Sequence, residues 1–160
     1  FKEVFIKGLA DDGGLYVPKS LKKYNISELS AFKDLSYNEL STEIISQFSS
    51  DFISKDELSS LISKSYSTFR DKEVIKISNL GRQKLLELFH GPTLAFKDIA
   101  MQFIGNLYEY YLSKNNKKIN IVVATSGDTG AAAIDSIKGT GSISMMQCWC
   151  NGSSIPDQEI

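Results

Sequence analysis

Short apolar runs alternate with amphipathic patterns along the second half of the chain, and this alternation constrains the fold more than any other feature. Residues 98–112 and 129–137 have helical spacing of their apolar side chains. They separate three apolar runs, which cover residues 85–89, 119–124 and 143–149. Strands joined through helices in this way predict a parallel sheet, because parallel strands need a long crossover connection. The predicted fold class is therefore α/β, and residues 84–160 are predicted to begin a parallel βαβαβ domain.

The first half of the chain, residues 1–83, predicts a helical region with one short β segment. Ser36 and Ser54 are each followed three residues later by a glutamate, and apolar positions at helical spacing come next. This pattern is the capping box, in which the serine and the glutamate satisfy each other's backbone N–H groups at a helix start. Residues 15–17 predict a short strand that Pro18 ends. We expect no catalytic chemistry from this half.

Composition excludes several classes of function. The chain has 160 residues, 42% hydrophobic and 23% charged, which is typical of a soluble globular protein. Its net charge of -1 argues against a nucleic-acid partner, and no apolar run reaches the length of a membrane span. Cys148 and Cys150 predict reduced thiols, because two cysteines and the single His90 are too few for a structural zinc site. Reduced thiols and the lack of a signal peptide predict a cytoplasmic location and no metal.

Lys97 lies where the first helix of the second half is predicted to begin, after a Gly91-Pro92 corner. The positive end of a helix disfavours an ammonium, and apolar neighbours at 94–96 could remove water from it. A neutral amine can attack a carbonyl carbon and form a Schiff base. The alternative is a structural lysine on the first helical turn, with Asp98 as its local partner.

A second loop, residues 125–130, follows the next apolar run and reads Thr-Ser-Gly-Asp-Thr-Gly. Hydroxyls and backbone N–H groups at a helix N-terminus form an anion site, and Gly127 and Gly130 let the backbone approach a ligand closely. A carboxylate or a phosphate would suit such a site. The alternative is that Asp128 or Ser126 simply caps the helix.

The predicted sheet brings these two loops together. Ligands of open parallel sheets bind beyond the carboxyl ends of the strands, and both loops follow strands of the predicted sheet. We therefore expect Lys97 to face the turn at Ser126–Asp128. The turn is not a Walker loop, since it lacks the Gly-Lys-Ser/Thr ending, and it is not a nucleophile elbow. His90 is interpreted as a packed or hydrogen-bonding loop residue rather than as a catalytic base.

Three segments in order, residues 8–18, 87–98 and 124–132, give the chain its resemblance to the threonine synthase family. The second contains His-Gly-Pro-Thr-Leu-Ala-Phe-Lys-Asp, which looks like the family's cofactor-lysine segment. The third contains Thr-Ser-Gly-Asp-Thr-Gly, which looks like its substrate-binding turn. The family belongs to the fold-type-II pyridoxal-phosphate enzymes, whose cofactor-binding domain has three layers. The resemblance extends over residues 1–138.

The resemblance implies that Lys97 binds pyridoxal 5'-phosphate covalently and then moves protons during turnover. It also implies that Asp128 lies close to the cofactor ring. The substrate carboxylate is expected at five residues: Thr125, Ser126, Gly127, Asp128 and Thr129. The reaction implied is conversion of O-phospho-L-homoserine and water to L-threonine and phosphate. The expected partner is this small molecule, with no nucleic acid or membrane, and an oligomer is compatible with the sequence.

The resemblance weakens after Gly139, which leaves other functions open. Ser153 stands where the family has an arginine, and the family's cofactor-phosphate loop is expected beyond residue 160. The 84–160 region is thus predicted to be an incomplete cofactor domain, inactive by itself. The alternatives are a truncated or degenerate homologue without activity, and another fold-type-II lyase such as a serine/threonine dehydratase or a cysteine-synthase relative. The phenylalanine before Lys97 favours threonine synthase over another fold-type-II lyase.

Overall fold

The computed structural model describes residues 1–125 and 127–149, with the side chain of Trp149 left out. The described chain forms two compact units, Phe1–Ile62 and the residues from Ser63 onward. The predicted functional division at residue 84 stays a prediction. The elements in chain order are α1 Lys2–Lys7, α2 Ile26–Phe32, α3 Tyr37–Ser49, α4 Lys55–Tyr66, β1 Lys76–Leu80, β2 Gln83–Glu87, α5 Asp98–Lys114, β3 Ile119–Thr125, α6 Asp128–Ile137 and β4 Ile143–Trp149.

Helices α3 and α4 begin at the two predicted capping boxes. The Ser36 N–H donates to Glu39 Oε2 at 2.8 Å, and the Glu39 N–H donates to Ser36 Oγ at 3.3 Å. The equivalent serine before α4 bonds its glutamate in the same way. Helix α2 uses the same device with Asn25 and Glu28, and the Asn-x-x-Glu pattern could have revealed it. Local hydrogen bonds of this kind need no tertiary contact, so the sequence alone predicts them well.

The predicted strand at residues 15–17 is wrong. Only one antiparallel bridge forms in this part of the first unit, between Leu9 and Leu15. Val17 is 81% exposed. Pro18 lacks the N–H that would extend the ladder, and the turn before Leu15 leaves no second arm long enough to pair with. Helix α1, which the sequence analysis missed, packs Phe5 near Phe52 with ring centroids 5.9 Å apart.

Strands β3 and β4 form the parallel pair that the second unit is built on, in register from Ile119↔Ile143 to Thr125↔Trp149. Helix α6 connects them and α5 precedes them, so the α/β class and these four predicted elements are confirmed. The core beside them includes Leu107 at 2% exposure and Ala132 at 0%. Such burial of apolar side chains is the main stabilising term of the unit.

The predicted place of the first strand in the parallel sheet is wrong for the described residues. The apolar run begins earlier than predicted, as β2, and pairs antiparallel with β1 from Lys76↔Glu87 to Leu80↔Gln83. Gly81 turns the chain between them with a φ of 61°, which glycine adopts without a steric penalty. A strand that follows so tight a turn pairs with the strand before it. The apolar pattern alone does not show whether β2 pairs with β1 or with the parallel sheet.

One face of the β3–β4 pair is not covered by the described residues. Val122 and Met146 are opposite each other in the register, and their exposed fractions are 69% and 65%. Parallel sheets usually bury both faces.

Among the helices of the described ranges, none is both long and apolar enough to cross a membrane.

We expect the substitution Gly105→Ala to destabilise the second unit. A Cβ at this position would lie 2.5 Å from the backbone carbonyl oxygen of Ser136, so the helices would have to separate. The expected loss is about 1–3 kcal/mol in the free energy of unfolding, as for other overpacked contacts. Urea denaturation followed by circular dichroism measures it.

Gly141→Ala is the matched control for this prediction. No atom lies within 4 Å of a Cβ added there, so the free energy of unfolding should stay close to that of the unaltered chain. Equal stability of the two variants would contradict the close packing of α5 on α6.

Candidate functional site

Lys97 is the N-cap residue of α5, as predicted, and its side chain is half-buried. Its Nζ lies 4.4 Å from the centroid of the Phe96 ring. The predicted apolar shield is only partly present, because Leu94 and Phe96 are 51% and 59% exposed and Ala95 alone is buried. Among the described residues Lys97 forms no ion pair. Its amine is thus held by the face of one aromatic ring, which attracts cations.

Asp98, next to Lys97, is completely buried. Its Oδ2 accepts a hydrogen bond from the Thr93 N–H at 2.8 Å, and its Oδ1 accepts one from Thr93 Oγ1 at 2.6 Å. The alternative in which Asp98 is the local partner of Lys97 is therefore wrong. A buried carboxylate must have hydrogen bonds, and a threonine five residues earlier supplies both of them.

His90 hydrogen-bonds within the loop, as the sequence analysis expected. Its Nε2 lies 3.0 Å from Glu87 Oε2, and its backbone oxygen accepts a hydrogen bond from the Arg70 N–H at 2.8 Å. Ser78 on β1 donates its hydroxyl to Glu87 Oε1. The Ser78 hydroxyl is the largest cause that lowers the pKa of Glu87, and His90 lowers it further. The polar contacts of His90 thus support the hairpin end.

The turn at residues 125–130 begins at the last residue of β3 and leads into α6. Gly127 is the N-cap residue, and no side chain of the described residues caps the helix, so capping by Asp128 is wrong. Ser126 lies outside the described residues. The Asp128 carboxylate is exposed and bonds no described group, whereas Thr125 and Thr129 are half-buried. Within the described ranges, the N–H groups of Asp128 and Thr129 donate to no acceptor. A helix start with free N–H groups attracts anions.

Gly130 allows the turn to lie close to the sheet. A Cβ there would be 2.5 Å from Thr125 Cγ2 and 2.5 Å from Gln147 Nε2. Gln147 belongs to β4, and both polar atoms of its amide are buried without a partner in the described part of the chain. Gln147 is not among the predicted site residues, although a glutamine inside the third apolar run was a visible signal.

The packing of α5 against α6 brings Lys97 and the turn to the same end of the second unit. Gln102 Nε2 donates to Asp135 Oδ2 at 2.7 Å, and further along both helices Gly105 meets Ser136. These contacts advance together, so the helices run in the same direction. Helix α5 begins roughly 10 Å before Gly105, and α6 begins roughly 12 Å before Ser136. Helix packing therefore brings the two loops to one end of the unit, a role that was predicted for the edge of the sheet.

Within the described part of the chain, an amine that forms no ion pair and a helix start that no side chain caps thus lie at one end of a parallel helix pair. The amine is a nucleophile towards carbonyl carbons when neutral, and the helix start binds carboxylates or phosphates. No group of three histidine, cysteine or acidic side chains in the described ranges could hold a metal ion. Cys148 is a free thiol, and Cys150 lies outside the described residues.

Comparison with known proteins gives concordant matches. The family model "Threonine synthase N terminus" matches residues 1–66. The chain is 42% identical to threonine synthase of Schizosaccharomyces pombe, over 99% of this chain and 33% of that protein. It is 41% identical to threonine synthase of Saccharomyces cerevisiae, over 99% of this chain and 34% of that protein. The chain thus spans about a third of the length of these relatives.

A solved structure agrees with these sequence matches. The pyridoxal-phosphate-bound threonine synthase from Brucella melitensis superimposes with a TM-score of 0.87 at 35% identity. The match covers 94% of this chain and 32% of that one. A TM-score of this size at this identity extends the likeness from sequence to fold.

We expect Ser78→Ala to raise the pKa of Glu87 towards the ordinary glutamate value, because the hydroxyl bond that favours the carboxylate is lost. The lowered pKa in the unaltered chain stabilises the folded state above the ordinary glutamate pKa. That contribution is lost as the pH falls through the lowered value. Carbon-detected NMR titration of the Glu87 carboxyl group measures the change.

Ser60→Ala serves as the control, since the Ser60 hydroxyl donates to the Asp56 backbone oxygen. It should leave the titration of Glu87 unchanged. An unaltered Glu87 titration in Ser78→Ala would show that the hydroxyl bond has no influence on this carboxyl group.

Proposed function

Because the chain belongs to the threonine synthase family, we propose that it supplies the cofactor lysine and the substrate-carboxylate turn of a pyridoxal-phosphate-dependent threonine synthase. The proposed reaction converts O-phospho-L-homoserine and water to L-threonine and phosphate. The observation that supports it most is the arrangement of α5 and α6. The half-buried Lys97 and the start of α6, which no described side chain caps, lie at the same end of the helix pair.

Lys97 is the proposed point of covalent attachment. Attack on an aldehyde carbon needs a primary amine that is not held in a salt bridge, and Lys97 forms none with any described residue. The same nitrogen, once released, is a base close to the reacting atoms, and its role is then to take and return protons at the substrate carbons. Pyridoxal phosphate, when bound, supplies the electron sink for this chemistry.

The turn before α6 is the proposed seat of the substrate carboxylate. The N–H groups of Asp128 and Thr129 donate to no acceptor in the described chain, and the helix adds its positive end. The five proposed contact residues are Thr125, Ser126, Gly127, Asp128 and Thr129. The exposed Asp128 carboxylate would repel a second anion on its own side. A bound carboxylate is therefore directed to the N–H groups, and Asp128 is left to face the cofactor ring.

Further contacts to the cofactor are proposed to come from polypeptide beyond this chain. The matched relatives are about three times as long, and the β3–β4 face at Val122 and Met146 is exposed. We therefore expect the 160-residue chain to lack turnover by itself. A degenerate homologue without activity, or a related lyase such as a dehydratase, would share the lysine and the turn and differ in the reaction. A cytoplasmic location stays a prediction from cysteine usage.

The first test concerns attachment of the cofactor. The 160-residue chain, incubated with pyridoxal phosphate and then borohydride, should carry one adduct on the peptide that contains Lys97. Lys97→Arg keeps the positive charge but removes the nucleophilic amine, so the adduct should disappear. Peptide mass spectrometry measures it. Lys117→Ala, at an exposed position, is the control that should keep the adduct.

The second test concerns turnover. In a polypeptide of the full family length that contains this chain, Lys97→Ala should lower phosphate release from O-phosphohomoserine by about a thousandfold or more. The unaltered polypeptide is the reference. Absence of phosphate release and of threonine from the unaltered polypeptide would favour a degenerate homologue, and release of ammonia from serine or threonine instead would favour a dehydratase.

A further inference from the structure

Lys97 has few contacts of its own that determine its direction. Its side chain makes no capping hydrogen bond, and the Phe96 ring that it contacts is mostly exposed. Lysine side chains have many rotamers and lose considerable entropy when they are ordered. A lysine that must attack one carbonyl carbon therefore depends on a rigid backbone beneath it. The residues on either side of Lys97 are the place to look for that rigidity.

Asp98 and Thr93 close the loop in front of Lys97. The completely buried Asp98 carboxylate uses both oxygens on Thr93, one on its N–H at 2.8 Å and one on its hydroxyl at 2.6 Å. We refer to this pair of hydrogen bonds as the Asp98–Thr93 clasp. Gly91 makes room for it, because a Cβ at Gly91 would overlap the Asp98 carboxylate.

The loop inside the clasp is tight and partly strained. Leu94 has a φ of 66°, a conformation that a leucine adopts only under constraint from its surroundings. The Leu94 N–H donates to the Gly91 oxygen at 3.2 Å, and the Asp98 N–H donates to the Ala95 oxygen at 3.0 Å. Two hydrogen bonds from Thr93 to the buried Asp98 carboxylate add a strong constraint to this loop.

We propose that the Asp98–Thr93 clasp is the positioning device for Lys97: it anchors the residue after the lysine and thereby directs the amine towards the carbonyl group it attacks. Asp98 and Thr93 act through Lys97 and have no chemical step of their own. The inference rests on the proposed function of Lys97. It adds that the loop geometry, not the lysine alone, sets the rate of attachment.

Thr93→Val tests the clasp, because valine has the shape of threonine and keeps the backbone N–H bond but lacks the hydroxyl. The rate of borohydride-fixed adduct formation on Lys97 with pyridoxal phosphate should fall about tenfold, as for the loss of a hydrogen bond to a charged group. Thr93→Ser restores the hydroxyl and should react within about twofold of the unaltered chain. All rates are measured at one pH, well below the melting temperature of each variant.

A second readout separates positioning from stability. Hydrogen exchange of the Asp98 and Ile99 amides should speed up in Thr93→Val and stay slow in Thr93→Ser. If Thr93→Val does not fold, Asp98→Asn takes its place, because it keeps the size of the side chain but replaces one of the two acceptor oxygens by an N–H donor. Equal adduct rates in the unaltered chain and in Thr93→Val, or equally slow rates in the valine and serine variants, would overturn the clasp. No adduct in the unaltered 160-residue chain would overturn the clasp as a device of this chain. The proposed function is decided separately, by the effect of Lys97→Ala on turnover in the polypeptide of full family length.

Discussion

The close contact between α5 and α6 is the interaction on which the rest of the second unit depends. At Gly105 the two helices approach until no side-chain atom fits between that residue and the Ser136 backbone. This contact, with the Gln102–Asp135 hydrogen bond beside it, sets the relative translation of the helices. Because both helices run in the same direction, their positive N-terminal ends lie at the same end of the unit. A change in this packing would separate the two candidate loops even if each loop kept its own structure.

The starts of α5 and α6 differ in the charged and polar groups that lie at them. In the described chain, two N–H groups at the start of α6 donate to no acceptor, which suits an anion. The start of α5 instead receives the buried Asp98 carboxylate, and the neighbouring Lys97 is left without a salt bridge in the described chain. A negative group at the first helical turn interacts favourably with the helix dipole, so Asp98 does not need Lys97 as a salt-bridge partner. The first N–H groups of α5 thus have backbone acceptors in the loop before it, whereas those of Asp128 and Thr129 in α6 have none among the described residues.

Local signals predicted much of the fold, and the misplaced first strand of the second half shows where they stop. The capping boxes before α3 and α4 and the strand at 143–149 match the structure, because each depends on hydrogen bonds or alternation within a few residues. The first apolar run was placed in the wrong sheet, since an apolar pattern shows that a strand is buried or paired but does not name its partner. The tight turn at Gly81 decided that partner, and its meaning becomes clear only once β1 is known.

The residue types of the candidate site were visible in the sequence: a lysine at a helix start, a turn rich in glycine and hydroxyl groups, and a resemblance to one family. Those properties depend on residue type and on spacing along a short stretch of chain. The roles of these residues stay predictions. Only the tertiary structure decided that Asp98 bonds Thr93 instead of Lys97, that Gln147 lies beneath Gly130, and that helix packing brings the two loops to one end. The first depends on how the loop between Thr93 and Asp98 folds back on itself. The other two depend on which distant segments pack together, and shape and burial across the whole unit make that choice.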